Sequence, residues 1–239
     1  MNDSESKFIE GIHMRAPQRF IVAVALAATI GLSGCISVDI GGDDDGDSVR
    51  GSGDMVTESR EVGGFDQIAV FGSGEVVVDV TGTESLSIEA EDNIMPQLTT
   101  EVRNGVLELE VEGNVSPTRD ITYTITAATL TGVSIAGSGD VTATGVESDE
   151  FGVEIAGSGD VSPVGTAGAL SIEIAGSGRY RGEDLVAATA TVVVAGSGDV
   201  VVNATDELAV DIAGSGSVEY LGNPTVEQSV SGSGEVSQR

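Results

Sequence analysis

Residues 151–161, which read FGVEIAGSGDV, contain the pattern that decides the fold of this chain. Hydrophobic residues alternate with small or polar ones, and the run ends in a Gly-Ser-Gly triplet. In the second half of the chain, six copies of the triplet start at Gly137, Gly157, Gly176, Gly196, Gly214 and Gly232, with spacings of 20, 19, 20, 18 and 18 residues. A period this short does not fit paired helices or propeller blades. It predicts an all-β, single-domain β-solenoid with one coil of about 19 residues per repeat.

Within each repeat the alternation has the period of two that a strand requires. The residues predicted to point inward before four of the corners are Phe151, Val153, Ile155, Leu170, Ile172, Ile174, Ala190, Val192, Val194, Leu208, Val210 and Ile212. The residues between them, such as Glu154, Glu173 and Asp211, should face solvent. A second, shorter strand after each triplet has the inward residues Val141, Val161, Val200 and Val218.

The repeated glycines are interpreted as structural corner residues. A coil that turns within three residues needs positive φ angles or close packing against its neighbours, and glycine tolerates both. Phosphate binding is disfavoured because no helix is predicted after any triplet. The corner glycines are Gly137, Gly139, Gly157, Gly159, Gly176, Gly178, Gly196, Gly198, Gly214, Gly216, Gly232 and Gly234.

Residues 1–34 have the anatomy of a secretory signal peptide. An uncharged apolar run of 13 residues, 20–32, follows Arg15 and Arg19. It is too short to cross a bilayer core of about 30 Å as a helix. The acidic residues before Met14 are unusual in an export signal, so Met14 is the predicted true start.

Residues 32–35, which read LSGC, resemble the lipobox of prokaryotic lipoproteins, in which the cysteine is acylated and becomes the first mature residue. Cys35 is the only cysteine in the chain. It therefore has no disulfide partner and is interpreted as the lipid attachment site. The alternative is an ordinary signal peptide with a chance cysteine. Residues 35–57 are rich in glycine and aspartate and predict a disordered acidic tether, and the solenoid domain is expected over residues 58–239.

The chain is strongly acidic. Residues 1–34 hold three acids and three bases, so their removal leaves 36 acids, 7 bases and an unchanged net charge of −29. This charge excludes nucleic acid as a partner and limits membrane contact to the lipid anchor. Excess acid with almost no lysine is typical of proteins from saline habitats, and a merely acidic extracellular protein is the alternative.

Several segments outside the repeats resemble one known family. They are residues 65–70 (FDQIAV), 92–94 (DNI) and 101–109 (EVRNGVLEL), followed by the Gly-Ser-Gly-Asp repeats. Together they are similar to the head GIN domain of putative autotransporter adhesins, over residues 61–239. The resemblance implies a right-handed parallel β-helix on the outside of bacterial or archaeal cells, and it carries over no catalytic residues.

The pattern does not favour an enzyme. The coils after Gly132 are uniformly short, aromatic residues make up 3% of the chain, and its one histidine, His13, lies in the signal peptide. Triads that need histidine and the usual zinc sites are therefore excluded from the mature chain. The calcium-roll motif also fits poorly, because aspartate directly follows the second glycine. No cofactor and no metal are predicted.

Residues directly after the triplets should stack in one surface column. The column is predicted to run Asp140, Asp160, Arg179, Asp199, Ser217, Glu235. Arg179 should offset the aspartates on either side of it. Whether the neighbouring Asp140 and Asp160 hold a cation such as calcium or are solvated charges stays open, with solvated charges preferred.

The predicted function is that of a lipid-anchored cell-surface solenoid acting as an adhesin-like or structural interaction module. Its location would be the outer membrane or the outer face of the plasma membrane, and its partner a cell-surface protein or polysaccharide. The alternative is an envelope binding or sensory lipoprotein for a small ligand or partner protein. A polysaccharide-active enzyme is less favoured.

Overall fold

The structure, a computed structural model, describes residues 48–239. Almost all regular structure in this part is β, with one short 3-10 helix, Met95–Gln97. None of its helices has the length and apolarity to span a membrane. The strands are β1 (Val49–Arg50), β2 (Met55–Arg60), β3 (Gln67–Gly72), β4 (Glu75–Val80), β5 (Ser85–Glu91), β6 (Leu98–Arg103), β7 (Val106–Val111), β8 (Val115–Ser116), β9 (Thr122–Ala127), β10 (Gly132–Gly137), β11 (Asp140–Gly157), β12 (Asp160–Gly176), β13 (Arg179–Gly196), β14 (Asp199–Gly214), β15 (Ser217–Leu221), β16 (Thr225–Gly232) and β17 (Glu235–Gln238).

The repeats form a parallel β-solenoid, which confirms the predicted fold class. Each long strand, β11 to β14, runs from one Gly-Ser-Gly corner to the next and pairs in parallel with the coils on either side. Each long strand therefore has two parts. The part that leads into a corner lies on what we call the first face, and the part that leaves a corner lies on the second face. On the first face Ile155 pairs with Ile174, which pairs in turn with Val194.

The core is the stack of inward ladders that the alternation predicted. All of the residues predicted to point inward on both faces are buried. Ile174 and Ile212, for example, are 0% exposed, whereas Glu173 lies on the surface. The predicted register is therefore confirmed.

The corners explain why the triplets contain glycine. The first glycine of each of the six triplets has a φ angle between 133° and 141°. A Cβ atom added to Gly157 would overlap the carbonyl oxygen of Gly137 in the preceding coil. The backbone ladder also continues through the corner, since the N–H of Ser158 donates to the Gly137 carbonyl over 2.9 Å and the N–H of Asp160 donates to the Gly139 carbonyl over 3.3 Å.

The N-terminal end of the stack does not follow chain order. In this part of the chain β3 lies between β7 and β10, and β4 lies between β9 and β11. The coil built from β7 and β9 is therefore outside the coil built from β3 and β4, although it comes later in the chain. Three antiparallel strands complete this end: β6 pairs with β7, β5 with β9, and β2 with β5.

The tether boundary predicted at residue 57 is wrong. Residues 48–57 belong to the fold, because Val49 pairs with Val115 in a parallel bridge and Met55 pairs with Glu91 at the start of β2. The composition of this segment is polar, but side chains from residues 91–93 satisfy its backbone groups, as described below. The signal peptide, Met14, Cys35 and the remaining tether lie outside the described residues.

Candidate functional site

One coil has a long loop in place of a corner. The coil formed by β7 and β9 joins its two faces through residues 112–121, whereas the next coil turns through Ser73 and Gly74 alone. Part of this loop, β8, pairs with β1. The segment after β8, residues 117–121, lies beside the corners of the two following coils.

A groove of about 540 Å³ lies between this loop and the corners. We call it the corner groove. It is lined by Ser73, Gly74, Glu75, Pro117, Thr118, Arg119, Asp120, Ile121, Ser138 and Asp140. All of the charged residues in this set are exposed at the surface. The size is that of a site for a small molecule or for a few units of a polymer.

The groove combines opposite charges that do not pair with each other. Within residues 48–239, Arg119, Glu75 and Asp120 take part in no ion pair within 4.0 Å. Asp140 has one partner, the backbone N–H of Asp160, which donates to Oδ1 over 3.2 Å. Donors and acceptors in the groove are therefore left available to a ligand.

Glu91 fixes the position of residues 117–121, which form the outer wall of the groove. This carboxylate is only 1% exposed. It accepts hydrogen bonds from the backbone N–H and the hydroxyl of Thr118, and from the N–H of Gly53 over 2.6 Å. The hydroxyl bond of Thr118, followed by the N–H bonds of Thr118, Gly53 and Arg119, holds the pKa of Glu91 below its usual value, against the opposing effect of burial.

The two residues after Glu91 fix the N-terminal segment. Asn93 accepts the N–H of Ser52 over 2.9 Å and donates to the Arg50 carbonyl over 2.7 Å, and Asp92 accepts the Ser52 hydroxyl over 2.6 Å. Residues 91–93 thus tie residues 50–53 and the groove wall to one point of the fold. A Cβ atom added to Gly51 would overlap the Glu91 carboxylate, so the segment packs closely there.

The predicted charged column is present and is longer than predicted. Register pairs connect Asp140, Asp160, Arg179, Asp199, Ser217 and Glu235 in that order. On the other side, Asp140 pairs with Glu75, and Glu75 pairs with Thr122. The column therefore begins inside the corner groove and continues along the second face.

Two arginines interrupt the acidic column. As predicted, Arg179 lies between two aspartates, 3.5 Å from Asp160 and 3.8 Å from Asp199. Arg181, which the sequence did not single out, forms the shorter contact with Asp160, at 2.8 Å. Across residues 48–239, no three Asp, Glu, His or Cys side chains are arranged so that they could hold a metal ion.

The sequence did not predict the groove, because the charged column was assigned from the six regular repeats alone. Glu75 follows the triplet that begins at Gly72, as Asp140 follows the one at Gly137, so its place in the column could have been found. The ten residues between β7 and β9, among them Gly113, Asn114 and Pro117, were the available signal of a long loop. Nothing in the local sequence shows that this loop folds over the next corners.

Comparisons with known proteins agree with this architecture. The family model described as "Putative auto-transporter adhesin, head GIN domain" matches residues 64–224. Among curated proteins, no sequence matches the chain.

Solved structures show the same fold. A putative adhesin from Bacteroides fragilis is 26% identical with a TM-score of 0.66, and the match covers 80% of this chain and 100% of that chain. A putative lipid binding protein from Parabacteroides distasonis is 23% identical, with a TM-score of 0.55 and coverage of 80% and 99%. A putative adhesin from Parabacteroides merdae is 18% identical, with a TM-score of 0.51 and coverage of 80% and 99%. The last two similarities concern the fold alone.

Proposed function

We propose, because the chain belongs to the head GIN domain family of putative auto-transporter adhesins, that this protein is a lipid-anchored surface solenoid that acts as an adhesin-like interaction module. Proteins of a family described in this way typically lie on the cell surface or in the envelope. The family description names no enzyme. The family match over residues 64–224 is the observation that carries the proposal.

The geometry supports a role in binding. A solenoid presents long lateral faces on which each coil repeats the same outward positions. Here those positions include the charged column, and the corner groove opens at one end of it. Surfaces of this kind suit contact with extended or repetitive partners such as surface polysaccharides and surface proteins.

The proposed lipid anchor depends on Cys35. We expect Cys35→Ser to abolish incorporation of a fatty-acid analogue and to release the protein from the envelope or leave it uncleaved. Metabolic labelling of cells that express the full chain measures this. Ser33→Ala is the matched control, because it changes the neighbouring small residue and keeps the thiol. Labelling retained in Cys35→Ser would refute the anchor.

Adhesion is tested in the same cells. Cells that lack the protein should attach less to cells of their own kind or to their native surface. The wild-type chain should restore attachment, whereas Cys35→Ser should not. Attachment that does not depend on the protein would contradict the adhesin-like role.

A second candidate, an envelope binding or sensory lipoprotein, is favoured by the corner groove. Its volume is that of a small-molecule site, and its polar groups converge from three separate segments. A pull-down of the mature protein from its own cell envelope at native salt distinguishes the two, because a sensor or transporter component as the main partner would favour this second candidate.

A further inference from the structure

We propose that the open edge of β16 binds the same edge of a second copy of this chain, so that two solenoids join end to end. The proposal rests on the proposed surface role and names the partner for it. It follows from the uncovered valines, the free backbone groups and the charges of the last coil.

The last coil has a neighbour on one side only. Within residues 48–239, β16 pairs with β14 and β17 pairs with β15, and neither has a second strand partner. The inward positions of β16 are Val226, Gln228 and Val230, each in register with a buried residue of β14. Val230 is 41% exposed, whereas Ile212, its partner in β14, is 0% exposed. The last coil therefore exposes apolar side chains at positions that the inner coils bury.

The free backbone groups of β16 belong to the same inward residues. Backbone groups alternate in direction along a strand. The odd-numbered residues of the last coil bond to the coil before it, since the N–H of Ser233 donates to the Gly214 carbonyl over 2.8 Å and the N–H of Glu235 donates to the Gly216 carbonyl over 3.1 Å. The N–H and C=O groups of the three inward residues therefore point away from β14, towards the open edge.

A two-fold axis at Gln228 brings matching residues together. In an antiparallel pair, residues directly opposite each other lie on the same side of the sheet. With the axis at Gln228, Val226 of one copy faces Val230 of the other, and the two Gln228 residues face each other. Each of these pairs can exchange two backbone hydrogen bonds, and the two glutamine amides can bond to each other.

The neighbouring registers fit less well. Moving the axis to Glu227 places two glutamates opposite each other, and moving it to Ser229 pairs Val230 with Gln228. With the axis at Gln228, Glu227 faces Ser229, whose hydroxyl can donate to the carboxylate. In this register no like charges are opposed along β16, although the chain has a net charge of −29. This self-complementarity selects a second copy as the partner.

The contact also suits the proposed surface role. β1, where the described residues begin, pairs with β8 at the irregular end of the stack, away from β16. Two copies joined at β16 therefore begin at opposite ends of the pair. When each copy is anchored through Cys35, the pair links two cells, so the protein recognises its own copies on another cell.

The test is sedimentation velocity of the full purified chain across a concentration series, with a reductant that keeps Cys35 from forming disulfides. The buffer contains about 0.3 M sodium chloride, which screens distant charges more than directly opposed ones. We expect an equilibrium between monomer and dimer. Gln228→Glu and Gln228→Lys should each weaken the dimer by about tenfold or more, because each places like charges opposite each other at the axis.

An equimolar mixture of Gln228→Glu and Gln228→Lys should recover the dimer, since opposite charges then meet at the axis. Ser197→Glu is the matched control, because it adds a charge at an exposed corner of an inner coil, and it should dimerise like the wild type. Thermal melting of each variant shows that the fold is retained.

Four outcomes would overturn the proposal: a monomeric wild type, an open series of larger assemblies, a dimer that Gln228→Glu leaves unchanged, or a mixture that fails to recover the dimer. The cell-attachment assay separates this failure from failure of the proposed function. If attachment depends on Cys35 but not on Gln228, the adhesin-like role stands and the β16 edge is not its binding contact. If the purified chain dimerises through Gln228 but attachment does not depend on the protein, the end contact stands and the adhesin-like role fails.

Discussion

At the scale of single residues, Glu91 shows how one buried carboxylate organises an irregular region. It lies at the end of β5, and its two oxygens are used by Gly53 on one side and Thr118 on the other. A carboxylate with this number of donors stays ionised, because the hydrogen bonds stabilise the charged form. Its effect on the fold should therefore depend on pH.

We expect Glu91→Gln to alter the pH dependence of stability. The pKa of Glu91 is lowered in the folded protein, so its contribution is fully present above the unfolded value of about 4.3 and is lost as the pH falls through the lower folded value. The thermal midpoint of the variant should lie below that of the wild type at about pH 7, and the difference should shrink below about pH 4.

Thermal melts of both proteins across this pH range measure the effect. Glu89→Gln is the control, since Glu89 is an exposed residue on the same strand. A difference between Glu91→Gln and the wild type that is the same at every pH would contradict the assignment.

The inward and outward residues of the repeats could be read from the sequence, whereas Glu91 could not. Ile174 and Glu173 are placed by an alternation that involves only their neighbours in the chain. Glu91 also follows an alternating run, SLSIEA, yet it is buried because residues 51–53 and 117–119, which are distant in sequence, close over it. Burial of this kind depends on tertiary contacts that local periodicity does not contain.

At the scale of the elements, β13 differs from its neighbours in how it fills the core. Neighbouring β14 places Val200 and Val202 inward, and the paired positions in β13 are Tyr180 and Gly182. Tyr180 is 0% exposed, and a Cβ atom added to Gly182 would overlap its ring. The ring of Tyr180 therefore occupies the space that a side chain at position 182 would need. In β14 the two paired valines fill the equivalent volume. Burial also raises the pKa of the Tyr180 hydroxyl.

This exchange of volume predicts strong coupling between the two positions. Tyr180→Val should cost about 2 kcal/mol or more through the cavity it leaves, and Gly182→Val should cost about 1–3 kcal/mol through overpacking. The double variant restores the valine pair of β14, so it should be more stable than the sum of the single changes by about 1 kcal/mol or more. Denaturant unfolding of the four proteins gives the coupling, and additive costs would contradict it.

At the scale of the whole molecule, like charges are stacked along the coils. Glu154 pairs in register with Glu173, and burial, together with the neighbouring Glu173, raises the pKa of Glu154. A net charge of −29 adds repulsion over the entire surface. Adaptation to a saline habitat, which the composition suggests, stays a prediction.

We expect the thermal midpoint to rise steeply between about 0.1 and 2 M sodium or potassium chloride, because the screening length falls from about 10 Å to under 3 Å. The double variant Glu154→Gln/Glu173→Gln should show a smaller rise, since it removes one stacked pair. Calorimetric scans along the salt series provide the measurement. A flat response in the wild type would favour the plain acidic-surface alternative.

The regular part of the fold was predictable, and its N-terminal end was not. The six triplets determine the register of β10 to β17, because every coil contains the same alternation of inward and outward residues and the same glycine corner. The antiparallel pairs of β5 with β9 and β6 with β7 have no repeat to reveal them. The corner groove belongs to this irregular end, which is why the sequence indicated the charged column but not the site at which it begins.

The unbroken backbone ladder through the corners makes the coil an exchangeable unit of evolution. Successive coils are joined at Ser158 and Ser177 by bonds between backbone atoms, so these bonds do not depend on which side chains the next coil carries. Duplication or loss of one repeat would lengthen or shorten the stack by about 4.8 Å and leave the remaining contacts intact. A chain with one coil more or one coil fewer would therefore differ in reach and keep the same N-terminal groove.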